Sequence, residues 1–196
     1  MRLPVLFISI LTIFVPHVAA DTKSPTISFT RILKGVNNIH TGTAALTHNT
    51  GYVISGPLGV APALQVHSTA VKLHKHLKTT SELLFAFPAP SFSPPQSLQV
   101  ALRMLSLQVA VRKSLKTTAA KADAFGELGP IVQATLLQLR HDTAVFGKEL
   151  IPKLGRAERL LAPTLIKMID GYFAEALKAF GGEEGEGLES LRRTDV

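Results

Sequence analysis

The chain has 196 residues, 46% of them hydrophobic, with no cysteine and a net charge of +7. That length supports one domain with a sizeable core, and the lack of cysteine excludes a disulfide-knit mini-fold, a thiol nucleophile and a thiolate metal site. The positive charge would suit nucleic acid, acidic polysaccharide or lipid headgroups, but lysine and arginine are spread along every predicted helix with no nucleic-acid motif, so a generally solvated basic surface is the better reading.

The first element is a leader. Met1 and Arg2 give a positive start, Leu3 to Val15 is almost continuously apolar, and Pro16 breaks the run. Val18 and Ala20 are small enough for a cleavage site before Asp21, the pattern of a secretory signal peptide over residues 1–20. An apolar run of about 13 residues is too short for a transmembrane anchor, which needs about 20. The mature chain is therefore expected to be secreted. It has no Asn-x-Ser/Thr acceptor, since Asn49-Thr50 is followed by Gly51, so any glycosylation would be O-linked.

Five segments then show helical periodicity. From Thr26 to Thr50, Phe29, Ile32, Leu33, Val36, Ile39, Thr43 and Leu46 repeat at helical spacing. Gly35 and Gly42 weaken the propensity, so packing must hold this helix. Gly51 ends it, and GYVISGP is a turn. The second helix runs from about Leu58 or Ala63 to Phe85, with Val60, Leu64, Val66, Ala70, Val71, Leu73, Leu77 and Leu84 on its apolar side. His67 and His74 lie at the border of that face. Seven residues on a helix separate them by about 10.5 Å, too far to share a metal ion, so they read as boundary histidines.

A proline-rich connection from Phe87 to Pro95 leads to a helix from Ser93 to Thr118. Ser93, Pro94 and Gln96 stand where a capping box wants them. This helix carries two apolar stripes: Leu98, Ala101, Leu102, Leu105 and Val109 on one side, and Val100, Met104, Leu107, Val111 and Leu115 on the other. Together they span roughly 220°, against the ~100° stripe of a surface helix, so cover is expected on several sides. After a glycine-containing link from Lys121 to Gly129, a fourth helix presents Val132, Thr135, Leu136, Leu139, Thr143, Phe146 and Leu150, and ends at Pro152. The last runs from about Arg156 to Phe180, with Pro163 as its start or a kink and Gly181-Gly182 as its stop. Residues 183–196 are acidic, poor in apolar side chains and expected to be disordered.

No segment reads as a strand, so the expected fold is an all-α helical bundle of about five helices over residues 21–182. A nucleophile elbow, a phosphate loop and a His-Glu-x-x-His pattern are all missing, and the acidic residues mostly stand alone on polar faces, so no enzyme activity, metal or cofactor is expected.

The mature domain resembles a known family in ordered segments: the helix around Ile32, Val36 and Ile39; the GYVISGP turn; LQVHSTAVKLHKHL; RMLSLQVAVRKSLKTTAAKADAFGELG; IVQATLLQLRHDTAVFGKELIPKL; and LLAPTLIKMIDGYFAEALKAF. The pattern, over roughly 28–180, is similar to the hydrophobic surface-binding protein A family, also called antigenic cell-wall galactomannoproteins, of fungi. The resemblance implies a secreted, all-helical protein of the cell wall or culture fluid that adsorbs to hydrophobic surfaces. It also implies recruitment of polymer-degrading esterases and, in some members, a fatty acid held inside the bundle. The basic charge, the Lys/His-rich second helix and the lack of a long Ser/Thr-rich tail depart from the family pattern.

Two functions follow from this sequence. One is binding of a hydrophobic surface or lipid; the other is a structural or antigenic wall protein, or a secreted effector, whose stripes all form plain core. On the first, the expected lining is Leu98, Leu102, Leu105 and Val109, with Leu136, Leu139 and Phe146 from the fourth helix and Leu165, Ile169 and Phe173 from the last. Arg103, Arg112 or Lys113 could then hold a carboxylate at the mouth.

Overall fold

The structure, a computed structural model, describes residues 28–87 and 92–182. The expected leader, the 183–196 tail and residues 88–91 of the proline-rich connection lie outside the described residues. The elements are α1 (Phe29–Gly51), α2 (Val60–Phe85), α3 (Pro94–Ala119), a single turn α4 (Ala122–Phe125), α5 (Gly129–Leu150) and α6 (Arg156–Lys178), with short 3-10 turns before α2 and on either side of α5. No strand occurs among the described residues.

The long helices close into a ring. α1 packs on α2 and α3, α2 on α5, α5 on α6, and α6 returns to α3. The axis of the ring is filled from all five: Ile39 and Leu46 of α1, Leu73 and Leu77 of α2, Met104 and Leu107 of α3, Leu139 and Phe146 of α5, and Ile169 and Phe173 of α6 are buried. Gly35 and Gly42 have a structural reason on α1. A Cβ on Gly35 would sit 2.5 Å from Thr80 Oγ1, and one on Gly42 would meet Leu73 at 3.3 Å, so these glycines let α1 and α2 approach closely.

The capping box of α3 forms as its sequence predicts, with the Ser93 backbone N–H donating to Gln96 Oε1 at 3.0 Å. The helix does not gain cover on both stripes. Val100, Met104, Leu107 and Leu115 enter the core, whereas Leu98, Leu102, Leu105 and Val109 are 53%, 57%, 47% and 64% exposed. A ring member touches two neighbours and the centre, and α1 and α6 are the long helices against α3. Its apolar arc is wider than that contact can cover. Leu64 and Val71 of α2 are also half exposed, and Thr69, Thr80 and Ser81 are buried in their stead. Each of these hydroxyls donates to the carbonyl four residues earlier in its own helix, so it enters the core already satisfied.

Two bonds set α3 and α6 parallel and in register. Ser97 Oγ donates to Glu158 Oε2 at 3.0 Å, and Gln108 Nε2 donates to Tyr172 Oη at 2.7 Å. α5 and α6 are clamped by Arg140, whose Nε and Nη2 donate to the two oxygens of Asp170 at 2.5 and 2.8 Å. That hydrogen bond raises the Arg140 guanidinium above its ordinary value, against the opposing effect of its burial. α6 runs through Pro163 unbroken, and Gly181 takes a positive φ beyond its end.

Candidate functional site

Between α3, α5 and α6 lies a cavity of about 270 Å³. α3 supplies Ala101, Met104 and Leu105. α5 and the turn after it supply Thr143, Phe146, Gly147, Leu150, Ile151 and Leu154. α6 supplies Glu158, Leu161, Ala162, Thr164, Leu165, Ile166 and Ile169. The wall is nearly all aliphatic or aromatic carbon. The Glu158 carboxylate, its ionisable member, accepts a hydrogen bond from Ser97. Leu105 and Leu161, at 47% and 67% exposed, mark the mouth at the seam of α3 and α6.

Met104, Thr143, Phe146 and Ile169 also line a second, central space of about 40 Å³ on the ring axis, which receives side chains from all five long helices. Ser114 borders it, 2% exposed, and its Oγ has no hydrogen-bond partner. A buried hydroxyl left unpaired costs about 1–3 kcal/mol, so this atom favours any occupant able to meet it. The two spaces are neighbours, with Met104, Thr143, Phe146 and Ile169 as their common wall.

Leu105, Phe146, Leu165 and Ile169 of the predicted lining border the cavity, and Leu139 and Phe173 join Phe146 and Ile169 around the central space. Leu136 is buried further along, against Val66, Thr118 and Val132. Leu98, Leu102 and Val109 border neither space; they lie on the outer face of α3, because the ring leaves that face uncovered. Arg103, Arg112 and Lys113 are exposed and line neither space. Arg112 stacks over the Tyr172 ring, 5.6 Å from its centroid.

The expected lining left out Gly147 and Ala162, and also Ala101, although Ala101 stands in the first apolar stripe of α3. Small residues on three helices that meet leave volume unfilled, and that is the signal that would have found the cavity. The boundary histidines belong to the α2–α5 seam. His67 Nδ1 lies 3.3 Å from Thr135 Oγ1, and His74 Nδ1 lies 2.5 Å from Asp142 Oδ2, which is also held by Gln138 through Oδ1. No group of three or more His, Cys, Asp or Glu side chains able to hold a metal occurs among the described residues. No described helix is long and apolar enough to cross a membrane.

The family model for hydrophobic surface binding protein A matches residues 29–152. No curated protein matches the sequence significantly. Among solved structures, the chain is similar to AFMP4P in complex with palmitic acid, with TM-score 0.72 and 20% identity, covering 78% of this chain and 99% of that one. It is also similar to ligand binding domain 1 of the Penicillium marneffei MP1 protein, complexed with arachidonic acids, with TM-score 0.69 and 15% identity, covering 78% and 99%. Domain 2 of that protein, complexed with multiple arachidonic acids, gives TM-score 0.70 and 14% identity, covering 80% and 97%.

Proposed function

Because the chain belongs to the hydrophobic surface binding protein A family, we propose that it binds the acyl chain of a long-chain fatty acid in the cavity between α3, α5 and α6. The observation that carries this reading is the apolar wall itself. Specific small-molecule sites are commonly about 300–1,000 Å³, and the cavity of about 270 Å³ falls just short. Rotation of Met104, the unbranched and most adaptable of the shared side chains, would add the central space to it. The complexes of similar folds with palmitic and arachidonic acids support the same ligand class.

The polar groups favour one orientation. Glu158 at the cavity end would repel a carboxylate, whereas the unpaired Ser114 hydroxyl in the central space can donate to one. The acid group therefore points toward Ser114 and the chain end toward Leu161. The complexes of similar folds with fatty acids support binding as the role of this cavity. Secretion after removal of residues 1–20 remains part of this reading on the strength of the leader pattern, and N-terminal sequencing of protein from the medium should begin at Asp21.

The test is calorimetric titration of the delipidated protein with palmitic acid. Saturable binding that weakens on Ser114→Ala and is abolished by Ala162→Phe, which fills the cavity, is the expected result. No saturable binding by a protein that circular dichroism shows to be helical would overturn the reading.

A further inference from the structure

The exposed stripe of α3 is the largest feature that neither the core nor the cavity uses. Leu98, Leu102, Leu105 and Val109 fall within a narrow sector of the helix surface and are about half exposed or more. The register of Ser97 with Glu158 and Gln108 with Tyr172 brings Leu161 and Met168 of α6, 67% and 43% exposed, beside the same stretch. A contiguous apolar surface of this kind calls for a partner.

Charge identifies the partner. Continuing down the same sector of α3, the side chains become Arg112, Lys113 and Lys116, all exposed. α3 contains no acidic residue over its 26 positions. Glu175 of α6 borders the pocket that holds Arg112 and Lys116, and is the acidic residue in its lining. Apolar side chains next to exposed cations make up the face of a helix that lies in the headgroup region of an anionic bilayer.

We propose that the outer face of α3, with its seam to α6, docks on anionic phospholipid bilayers, and that the cavity takes up and delivers its acyl chain through the mouth at Leu105 and Leu161 while docked. This second clause rests on the fatty-acid reading; the docking does not. The long axis of α3 lies along the membrane, Leu98, Leu102 and Val109 enter the acyl boundary, and Lys113 and Lys116 meet lipid phosphates.

The experiment is flotation of the full mature chain with vesicles of phosphatidylcholine alone or mixed with phosphatidylglycerol, beside palmitic acid titration without vesicles. Binding should favour the anionic vesicles and weaken as salt is raised. Lys113→Gln with Lys116→Gln should lower anionic vesicle affinity about thirtyfold. Leu102→Asp with Val109→Asp should abolish docking. Both pairs lie outside the cavity wall, so palmitic acid binding in solution should be unchanged. Equal binding to both vesicle types would overturn the proposal in favour of uncharged apolar adsorption. Vesicle binding that survives the aspartates would also overturn it, as would a dimer in sedimentation that the aspartates dissolve, which would mean a second copy covers the stripe. Loss of palmitic acid binding by the unmodified protein would refute the fatty-acid reading while leaving the docking result intact.

Discussion

Phe146 is the most informative side chain to remove. It is 1% exposed and stands in the wall shared by the cavity of about 270 Å³ and the central space of about 40 Å³. Phe146→Ala therefore does two things at once: it removes a fully packed ring, and it joins the two spaces. Removal of a buried phenylalanine costs about 3–5 kcal/mol. For a chain of this length, each kcal/mol moves the midpoint by about 2–4 °C, so a fall of roughly 6–20 °C is expected in the ligand-free protein. Ligand at a hundred times its dissociation constant returns about 2.7 kcal/mol to any form that binds it. The variant should recover relatively more with arachidonic acid, the longer chain, than the unmodified protein does. Thermal melts followed by circular dichroism, with and without each acid, give both numbers. A loss under about 1 kcal/mol, or identical recovery by both proteins, would refute the claim that this ring divides one continuous apolar space.

Three further outcomes follow from the packing. Leu107→Ala, at a site 3% exposed, should cost about 2–5 kcal/mol, whereas Leu105→Ala, half exposed at the cavity mouth, should cost under about 1; urea denaturation of the pair checks the orientation of α3. Gly35→Ala should destabilise by about 1–3 kcal/mol despite alanine's better helix propensity, because its Cβ meets Thr80, itself bonded to the His76 carbonyl; a rise in thermal midpoint would contradict the close approach of α1 and α2. Arg140→Ala should cost about 1 kcal/mol, since the Asp170 side chain is 49% exposed and its pairing is screened, and hydrogen exchange should report the loss locally in α5 and α6.

The helices were legible because period and punctuation agreed. Ser93 and Gln96 marked the start of α3, Gly51 ended α1, and Gly129 began α5, all within a residue or so of the expected positions. What the one-dimensional pattern could not decide was which of two equally apolar stripes on α3 would be buried. Both satisfy a helical period; the choice depends on how many helices surround α3, which is a property of ring closure. The same limit explains why Leu105, Phe146, Leu165 and Ile169 fell on the cavity while Leu98, Leu102 and Val109 did not. On α2, buried threonines replaced expected aliphatics because a hydroxyl bonded within its own helix behaves as a small apolar group, which hydropathy does not register.

The position of α6 in the chain has a consequence for biosynthesis. Among the described helices this one is made after the others, yet it supplies one wall of the cavity and joins α3 across 61 residues of sequence at the Ser97–Glu158 bond. Until its residues leave the ribosome, Met104, Phe146 and Leu150 lack the cover that α6 supplies, and the four earlier long helices form an open trough. Chain closure over so long a separation comes late. A fragment ending near residue 152, where the family match stops, would therefore be a different object: an adhesive trough without an interior. An acyl chain present during synthesis could be laid into that trough before α6 comes down, without having to pass the mouth at Leu105 and Leu161.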